Sequence, residues 1–210
     1  INVNYMNQYL ICKRCVMDSS AEELILNNEG ICNFCIDFLD KQDNEFNVDN
    51  FKLDQLLPLV KNNSKNKKYD CIVGLSGGVD SSWALIQAVE LGLNPLAVHM
   101  DNGWNSQLAQ NNIENLVKKL NVDLYTYVID WDEYVALQKA FFRSNVIDIE
   151  LLYDNALAKV NYAQAAKYNI KYILSGSNSS TEGMQMPEKW AWKCKLDYLN
   201  IRSIFKQFGD

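Results

Sequence analysis

The chain has 210 residues, 48% of them hydrophobic and 22% charged, which suits one α/β domain of ordinary size plus a small accessory module. Its 20 Lys and Arg against 26 Asp and Glu leave a net charge of −6, which argues against a broad nucleic-acid footprint built on clustered cations. No apolar run reaches the ~18 residues of a membrane span and no signal-peptide pattern precedes the first polar segment, so the expected location is the cytoplasm.

In chain order, the first feature is a pair of C-x-x-C units, Cys12-Lys-Arg-Cys15 and Cys32-Asn-Phe-Cys35, separated by sixteen residues. That spacing reads as a tetrahedral metal site closed by four thiolates, with Gly30 placed for the tight turn of a knuckle. Zinc is the leading reading. An iron–sulfur cluster uses the same ligands, and two disulfides compete, though a cytosolic setting disfavours them. Residues 1–40 are therefore expected to form a zinc-ribbon-like module. Residues 41–68 are mostly polar, with Phe51, Leu53, Leu56, Leu57 and Val60 at helical spacing, a connecting helix that runs into a linker.

Residues 69–210 form the expected main domain. Cys71-Ile72-Val73-Gly74-Leu75 is a short apolar run typical of a buried parallel strand. Ser76-Gly77-Gly78-Val79-Asp80-Ser81-Ser82 follows, and a helix is predicted from Trp83 to Leu91, stopped by Gly92. Strand, glycine turn and helix make a phosphate-binding arrangement in which backbone N–H groups and serine hydroxyls face an anion. It is neither a Walker loop nor a dinucleotide fingerprint.

A second strand is predicted over Leu93–Met100, ending in Asp101-Asn102-Gly103-Trp104. A helix capped by Asn105 or Ser106 comes next, then a third strand over Asp123–Ile129. Helices over 132–144 and 154–168 lead to a fourth strand, Ile170–Leu174, with Gly176 and Asn178 at its end. Alternation of this kind predicts an α/β fold with a parallel sheet and helices on both faces. Ligands of such sheets bind beyond the carboxyl ends of the strands, so the polar clusters 76–82, 101–104 and 175–182 should converge on one edge.

Several single residues have two readings. His99, the only histidine, lies near the end of an apolar strand, which favours a structural or nucleotide-adjacent role over a general base. Asp101 either faces the site or fixes the turn before Asn102-Gly103. Cys71 reads as a core residue, and Cys194 stands alone. Trp104, Trp190 and Trp192 offer faces for a sugar, with packing the simpler reading for each. Glu182 is either a ligand or a solvent-facing side chain.

Ser76-Gly-Gly-Val-Asp-Ser81 resembles the signature of the PP-loop ATP pyrophosphatases, a superfamily with an adenine nucleotide alpha-hydrolase-like fold whose members cleave ATP between the α and β phosphates. The resemblance implies ATP and Mg²⁺ as ligands. Ser76, Gly77, Gly78, Asp80, Ser81 and Ser82 would hold pyrophosphate, and backbone near His99, Met100 and Asp101 would meet adenine. Gly176 and Asn178 would complete the pocket. Asp80 and Ser81 are the expected catalytic residues, Asp80 either as a Mg²⁺ ligand or as a brace for the loop.

A closer resemblance rests on Cys12-Lys-Arg-Cys15-Val-Met-Asp18, His99-Met-Asp-Asn-Gly-Trp104, Tyr127-Val-Ile-Asp-Trp131, Leu174-Ser-Gly-Ser-Asn178 and Thr181-Glu-Gly183, in that order along nearly the whole chain. Together these resemble the N-acetyl sugar amidotransferases of bacterial surface-polysaccharide and nonulosonic-acid synthesis. Those enzymes convert an acetamido group into an acetamidino group. Where that family reads Asp-His-Ala, this chain reads Asp154-Asn155-Ala156. Its members are also longer, so the present chain is expected to be incomplete at the C-terminus.

The resemblance implies an acetamido sugar as substrate and adenylation of its amide oxygen, with AMP and pyrophosphate as products. With no well-placed Cys–His pair, a separate glutaminase subunit is expected to supply ammonia. The alternatives are a PP-loop tRNA-thiolation enzyme, disfavoured by the acidic charge and the scarcity of cysteines after the loop, and a non-catalytic nucleotide-binding scaffold.

Overall fold

The structure is a computed structural model that describes residues 9–44, 51–190 and 197–209. These fall into two compact units, one built from 9–44 with 178–190 and the other from 51–177 with 197–209.

In the second unit, β1 (Cys71–Gly74), β2 (Pro95–Asp101), β3 (Leu124–Val128) and β4 (Ile173–Leu174) form a sheet in the order β3-β2-β1-β4. All three pairings are parallel. The apolar run at 71–75 is buried because β1 lies in the middle and its side chains alternate between two covered faces. Cys71, Val73 and Leu75 pack with Val60, Leu85, Ala88, Ala97 and Ile113 on one face. Ile72 packs with Leu96, Val98, Met100, Val160 and Ala165 on the other. The first face is covered by α2 (Phe51–Asn63), α3 (Val79–Glu90) and α4 (Gln107–Leu120). The second is covered by α6 (Leu151–Lys167), while α5 (Trp131–Arg143) packs with α8 (Tyr198–Phe208).

The strand order has a direct consequence. The chain moves outward from β1 to β2 and β3, then returns to place β4 on the opposite side of β1. The crevice beyond the carboxyl ends of β1 and β4 is therefore the topological switch point, where open α/β sheets bind ligands.

Local differences from the sequence expectation have physical causes. Helix α3 begins at Val79 rather than Trp83, because Gly78 already adopts the extended N-cap conformation (φ −82°, ψ 169°). Residues at a helix start need no intrahelical N–H partner, so a polar Asp-Ser-Ser segment is tolerated there. Strand β4 has two residues rather than five. Asn169 turns with φ 54° and the Ile170 N–H closes back on the Ala165 carbonyl, which keeps Ile170 out of the ladder.

The first unit carries two antiparallel bridges, Ile11↔Asp18 and Leu26↔Cys32. Its helix α1 (Asn33–Asn44) starts inside the second cysteine pair and was not anticipated from the sequence. A single-turn helix, α7 (Ser179–Glu182), belongs to this unit as well. The buried centre is Cys12, Cys32, Phe34 and Cys35, with Leu24, Leu26 and Met184 against it.

Candidate functional site

The loop from Ser76 to Gly78 crosses from β1 into α3 at the switch point. Gly77 has φ +82°, and a Cβ there would lie 2.5 Å from the Ala109 carbonyl oxygen, so the loop presses backbone to backbone on α4. Asn112 of α4 donates from Nδ2 to the Gly77 carbonyl at 3.2 Å.

Two serines knit the turn. The Ser76 N–H donates to Ser81 Oγ at 3.2 Å, the two hydroxyls are 3.0 Å apart, and the Gly78 N–H donates to Ser76 Oγ at 3.3 Å. No side chain caps α3. The first-turn N–H groups therefore have no capping side chain at the positive end of the helix dipole, an arrangement that suits an anion. A cavity of about 420 Å³ lies beside the loop, lined by Gly77, Gly78, Val79, Ser82, Asn112 and Lys119 among others. Asp80 is exposed in the first turn of α3.

The other two polar clusters reach this loop by different means. His99 is buried, and its Nδ1 lies 2.8 Å from the carbonyl of Leu75, the residue just before the loop. A carbonyl only accepts, so Nδ1 carries the proton and Nε2 is left as an acceptor. The Asn105 amide nitrogen meets Nε2 at 3.3 Å and Asp101 Oδ1 at 3.3 Å. Its contact with a carboxylate fixes that amide's orientation. Leu75, His99, Asn105 and Asp101 thereby form one hydrogen-bonded chain between the ends of β1 and β2. Asp101 also accepts from the Gly103 N–H at 2.9 Å, which is a turn-fixing contact. Met100 points into the core, so only its backbone is available to a ligand. Replacing His99 with alanine should cost about 1–3 kcal/mol, since it orphans the Leu75 carbonyl and frees Asn105. Chemical denaturation measures this.

From β4, Gly176 abuts the loop from the other side. A Cβ on Gly176 would lie 2.7 Å from Asp80 C and Ser81 N. The third predicted cluster divides here. Ser175–Ser177 stay with the sheet, whereas Asn178 belongs to the first unit. Asn178 caps α7 through Oδ1 to the Ser180 N–H at 3.1 Å, and Glu182 accepts from the Asn178 N–H at 3.2 Å. Trp192 and Cys194 lie outside the described residues. Ser106 rather than Asn105 caps α4, and Asn105, Asn112 and Lys119 were missed in the sequence as site residues. Each is an isolated polar residue near or on a helix, without a motif to mark it.

In the first unit the Sγ atoms of Cys12, Cys15, Cys32 and Cys35 lie within 4.8 Å of one another. Cys12 and Cys35 are 3.8 Å apart, and Cys15 and Cys32 are 3.6 Å apart. A tetrahedral ion with metal–sulfur bonds of about 2.3 Å requires S···S edges of about 3.8 Å, so the four thiols fit one shared ion. Burial alone would raise the Cys12 thiol, but hydrogen bonds from backbone at Cys15, Arg14 and Cys32 outweigh it and bring it down to about 6. Arg14 donates from Nη1 to Cys35 Sγ at 3.6 Å, and its guanidinium lies 5.4 Å from the Phe38 ring centroid. Burial instead pushes the Cys15 thiol up to about 12 and raises Cys32, so a bound ion would be what deprotonates them, and the Arg14 cation would offset the resulting charge.

Comparison with known protein families matches residues 49–184, the stretch that holds the loop and the whole sheet, to NAD synthase. The chain belongs to the NAD synthase family. Its fold is accordingly the PP-loop fold of an ATP-using family. An uncharacterized protein of Methanocaldococcus jannaschii is 35% identical over 116 residues, which is 54% of this chain and 40% of that protein. The chain thus spans about two fifths of the length of that curated relative.

Among solved structures, the NMN synthetase of Francisella tularensis is 25% identical with a TM-score of 0.45, covering 60% of this chain and 53% of that one. The glutamine-dependent NAD+ synthetase of Acinetobacter baumannii, solved with ADP, is 22% identical with a TM-score of 0.49, covering 61% and 25%. The NH3-dependent NAD synthetase of Campylobacter jejuni is 18% identical with a TM-score of 0.46, covering 73% and 70%. Among the described residues, no helix of this NAD synthase family chain is long and apolar enough to cross a membrane.

Proposed function

We propose that this chain is an ATP-dependent amidotransferase that converts the acetamido group of an N-acetyl sugar into an acetamidino group. The observation that carries the ATP half is the uncapped start of α3 at the switch point, knitted by Ser76 and Ser81 and backed by Gly176. Membership of an ATP-using family supports it. The sugar half rests on the ordered set of motifs from Cys12 to Gly183.

The chemistry follows from the poor leaving ability of an amide oxygen. The acetamide oxygen attacks the α phosphorus, the bond to the bridging oxygen breaks, and pyrophosphate departs into the Ser76–Ser82 loop. Charge grows on the leaving phosphates, where the N–H groups of the first α3 turn and the serine hydroxyls are already oriented to receive it. Lys119, beside the same cavity, adds a cation that the loop itself does not contain. Asp80 would hold Mg²⁺, which neutralises phosphate charge when bound; a bare carboxylate next to a triphosphate would repel it. Ammonia then adds to the adenylated imidate, and AMP leaves with the former acetamide oxygen. These residues position and neutralise, and no protein nucleophile is required.

Ammonia is assigned to a separate glutaminase subunit. Cys71 is fully buried in β1, and burial pushes its thiol up to about 12, so it is a core residue with no nucleophilic role. His99 has both ring nitrogens engaged. Zinc is the ion proposed for the four cysteines, and residues 1–40 are proposed as its module.

The test is a screen of acetamido sugars with ATP, Mg²⁺ and ammonium, read by mass for replacement of C=O by C=NH. Ser81→Ala removes three contacts that knit the loop, those of Ser81 Oγ with the Ser76 N–H, the Ser76 hydroxyl and the Gly78 carbonyl, and should lower AMP formation about 10- to 100-fold, at about 1.4 kcal/mol per tenfold. Asp80→Asn should shift the Mg²⁺ requirement upward. ATP binding with no turnover under any condition would overturn the enzymatic reading in favour of a scaffold.

A further inference from the structure

Past the end of β2, within the sheet unit, lies a second cavity of about 360 Å³ that the ATP reading does not use. Its walls are Asn102, Trp104, Tyr134, Gln138, Glu150 and Tyr153, with Asn105 at the side toward β2. We propose that this cavity is the acceptor site and that it takes an uncharged acetamido pyranose. The inference rests on the amidotransferase reading above and deepens it.

Three observations carry the assignment. First, the lining combines one indole, two phenols, one carboxylate and three side-chain amides, with no cation. Aromatic faces cover the C–H faces of a sugar ring, and planar amides and a carboxylate pair with neighbouring hydroxyls. A phosphate or carboxylate would meet Glu150 with nothing to balance it, so anionic acceptors are disfavoured.

Second, Trp104 is 64% exposed, yet it is held in place. Its ring lies 5.5 Å from that of Trp131. Gly103, at φ +79°, lets the turn pass over Trp131 where a Cβ would lie 2.6 Å from the indole. The Asn102 side chain accepts from the Trp104 N–H at 3.1 Å. An exposed indole braced by the Trp131 ring, on a turn whose backbone Asn102 and Gly103 fix, is a platform suited to a ring ligand. Burial pushes the pKa of both phenols up, and the negative charge of Glu150 adds to that at each, so both stay protonated as hydroxyl donors.

Third, the cavity is wired to the nucleotide edge. Asn105 joins it to His99, and His99 joins Leu75 at the start of the phosphate loop. An acceptor seated here lies at the same carboxyl edge of the sheet as ATP, as transfer between the two substrates requires.

The experiment titrates the full chain with N-acetylglucosamine, N-acetylgalactosamine, N-acetylmannosamine and N-acetylneuraminic acid. Binding is followed by calorimetry and tryptophan fluorescence, and ATP affinity and AMP formation are measured in parallel. The expected result is that a neutral sugar binds better than the acid. Trp104→Ala should weaken that sugar at least tenfold and Glu150→Gln at least fivefold, while Trp104→Phe stays within about threefold of wild type. ATP affinity should stay within twofold throughout. Glu150 is exposed, so its variant tests the site without disturbing the core. If a sugar supports AMP formation but its binding ignores both positions, or the acid is preferred, the pocket assignment is overturned and the amidotransferase reading stands. If no sugar in the panel binds or supports AMP formation, the reading and this inference fall together.

Discussion

Replacing Gly77 with alanine is expected to lower ATP turnover by more than 100-fold and to weaken ATP binding by a similar factor. Two effects combine. The backbone sits at φ +82°, where a side chain costs about 1–2 kcal/mol. The added methyl would also lie 2.5 Å from the Ala109 carbonyl, a backbone atom of α4 that cannot rotate away. Relief requires the loop to shift by about 1 Å, which breaks the Asn112 contact and moves the N–H groups off the phosphates. A misplacement of that size is enough to cost about 10²-fold. Gly92→Ala is the matched control. It too has positive φ (+73°), but its new methyl would meet only the mobile end of Lys61 at 3.3 Å. That variant should lose stability and keep ATP affinity. Equal ATP affinity in the two variants would remove the loop from the site.

Removing the metal from the four-cysteine centre is expected to unfold the first unit and leave the second intact. Four thiolates around one ion contribute roughly 10–16 kcal/mol in small zinc modules. The buried centre of the first unit is largely the cysteines themselves, with Phe34 and a few partly buried side chains. Among the described residues, Ala21 and Phe38 are the only other buried apolar side chains of 9–44. The sheet unit has two apolar clusters of its own, one on each face. Chelation, or Cys32→Ser, should therefore erase amide-exchange protection over 9–44 while the amides of β1 and β2 stay protected. The released metal, weighed by elemental analysis at one equivalent per chain, identifies the ion. Protection over 9–44 that survives chelation would show that the thiols need no metal.

How much of this was legible in the sequence depended on whether the signal was local. The loop was legible because an apolar strand, two glycines and a helix each leave a local mark, and the cysteine centre was legible because two fixed spacings define it. The convergence of the strand ends followed from the alternation of strands and helices. What escaped was tertiary. Asn105 matters because it meets His99 and Asp101, and Asn112 because it holds the Gly77 carbonyl. Lys119 lines the loop cavity only because α4 packs there. The reach of β4 was overestimated because Ile170-Lys171-Tyr172 looks like strand, whereas the Ala165 carbonyl claims the Ile170 N–H. Asn178 looked like part of the strand-end cluster, but its side chain caps α7 in the other unit.

The account depends on adenylyl transfer to an amide oxygen, and the fate of that oxygen tests it most directly. An acetamido sugar labelled with oxygen-18 in its acetyl carbonyl, incubated with this chain, ATP, Mg²⁺ and ammonium, should yield AMP carrying one labelled oxygen and unlabelled pyrophosphate. The sugar product should lose the label and gain a nitrogen. Label that stays with the sugar, or AMP that forms without it, would contradict the mechanism.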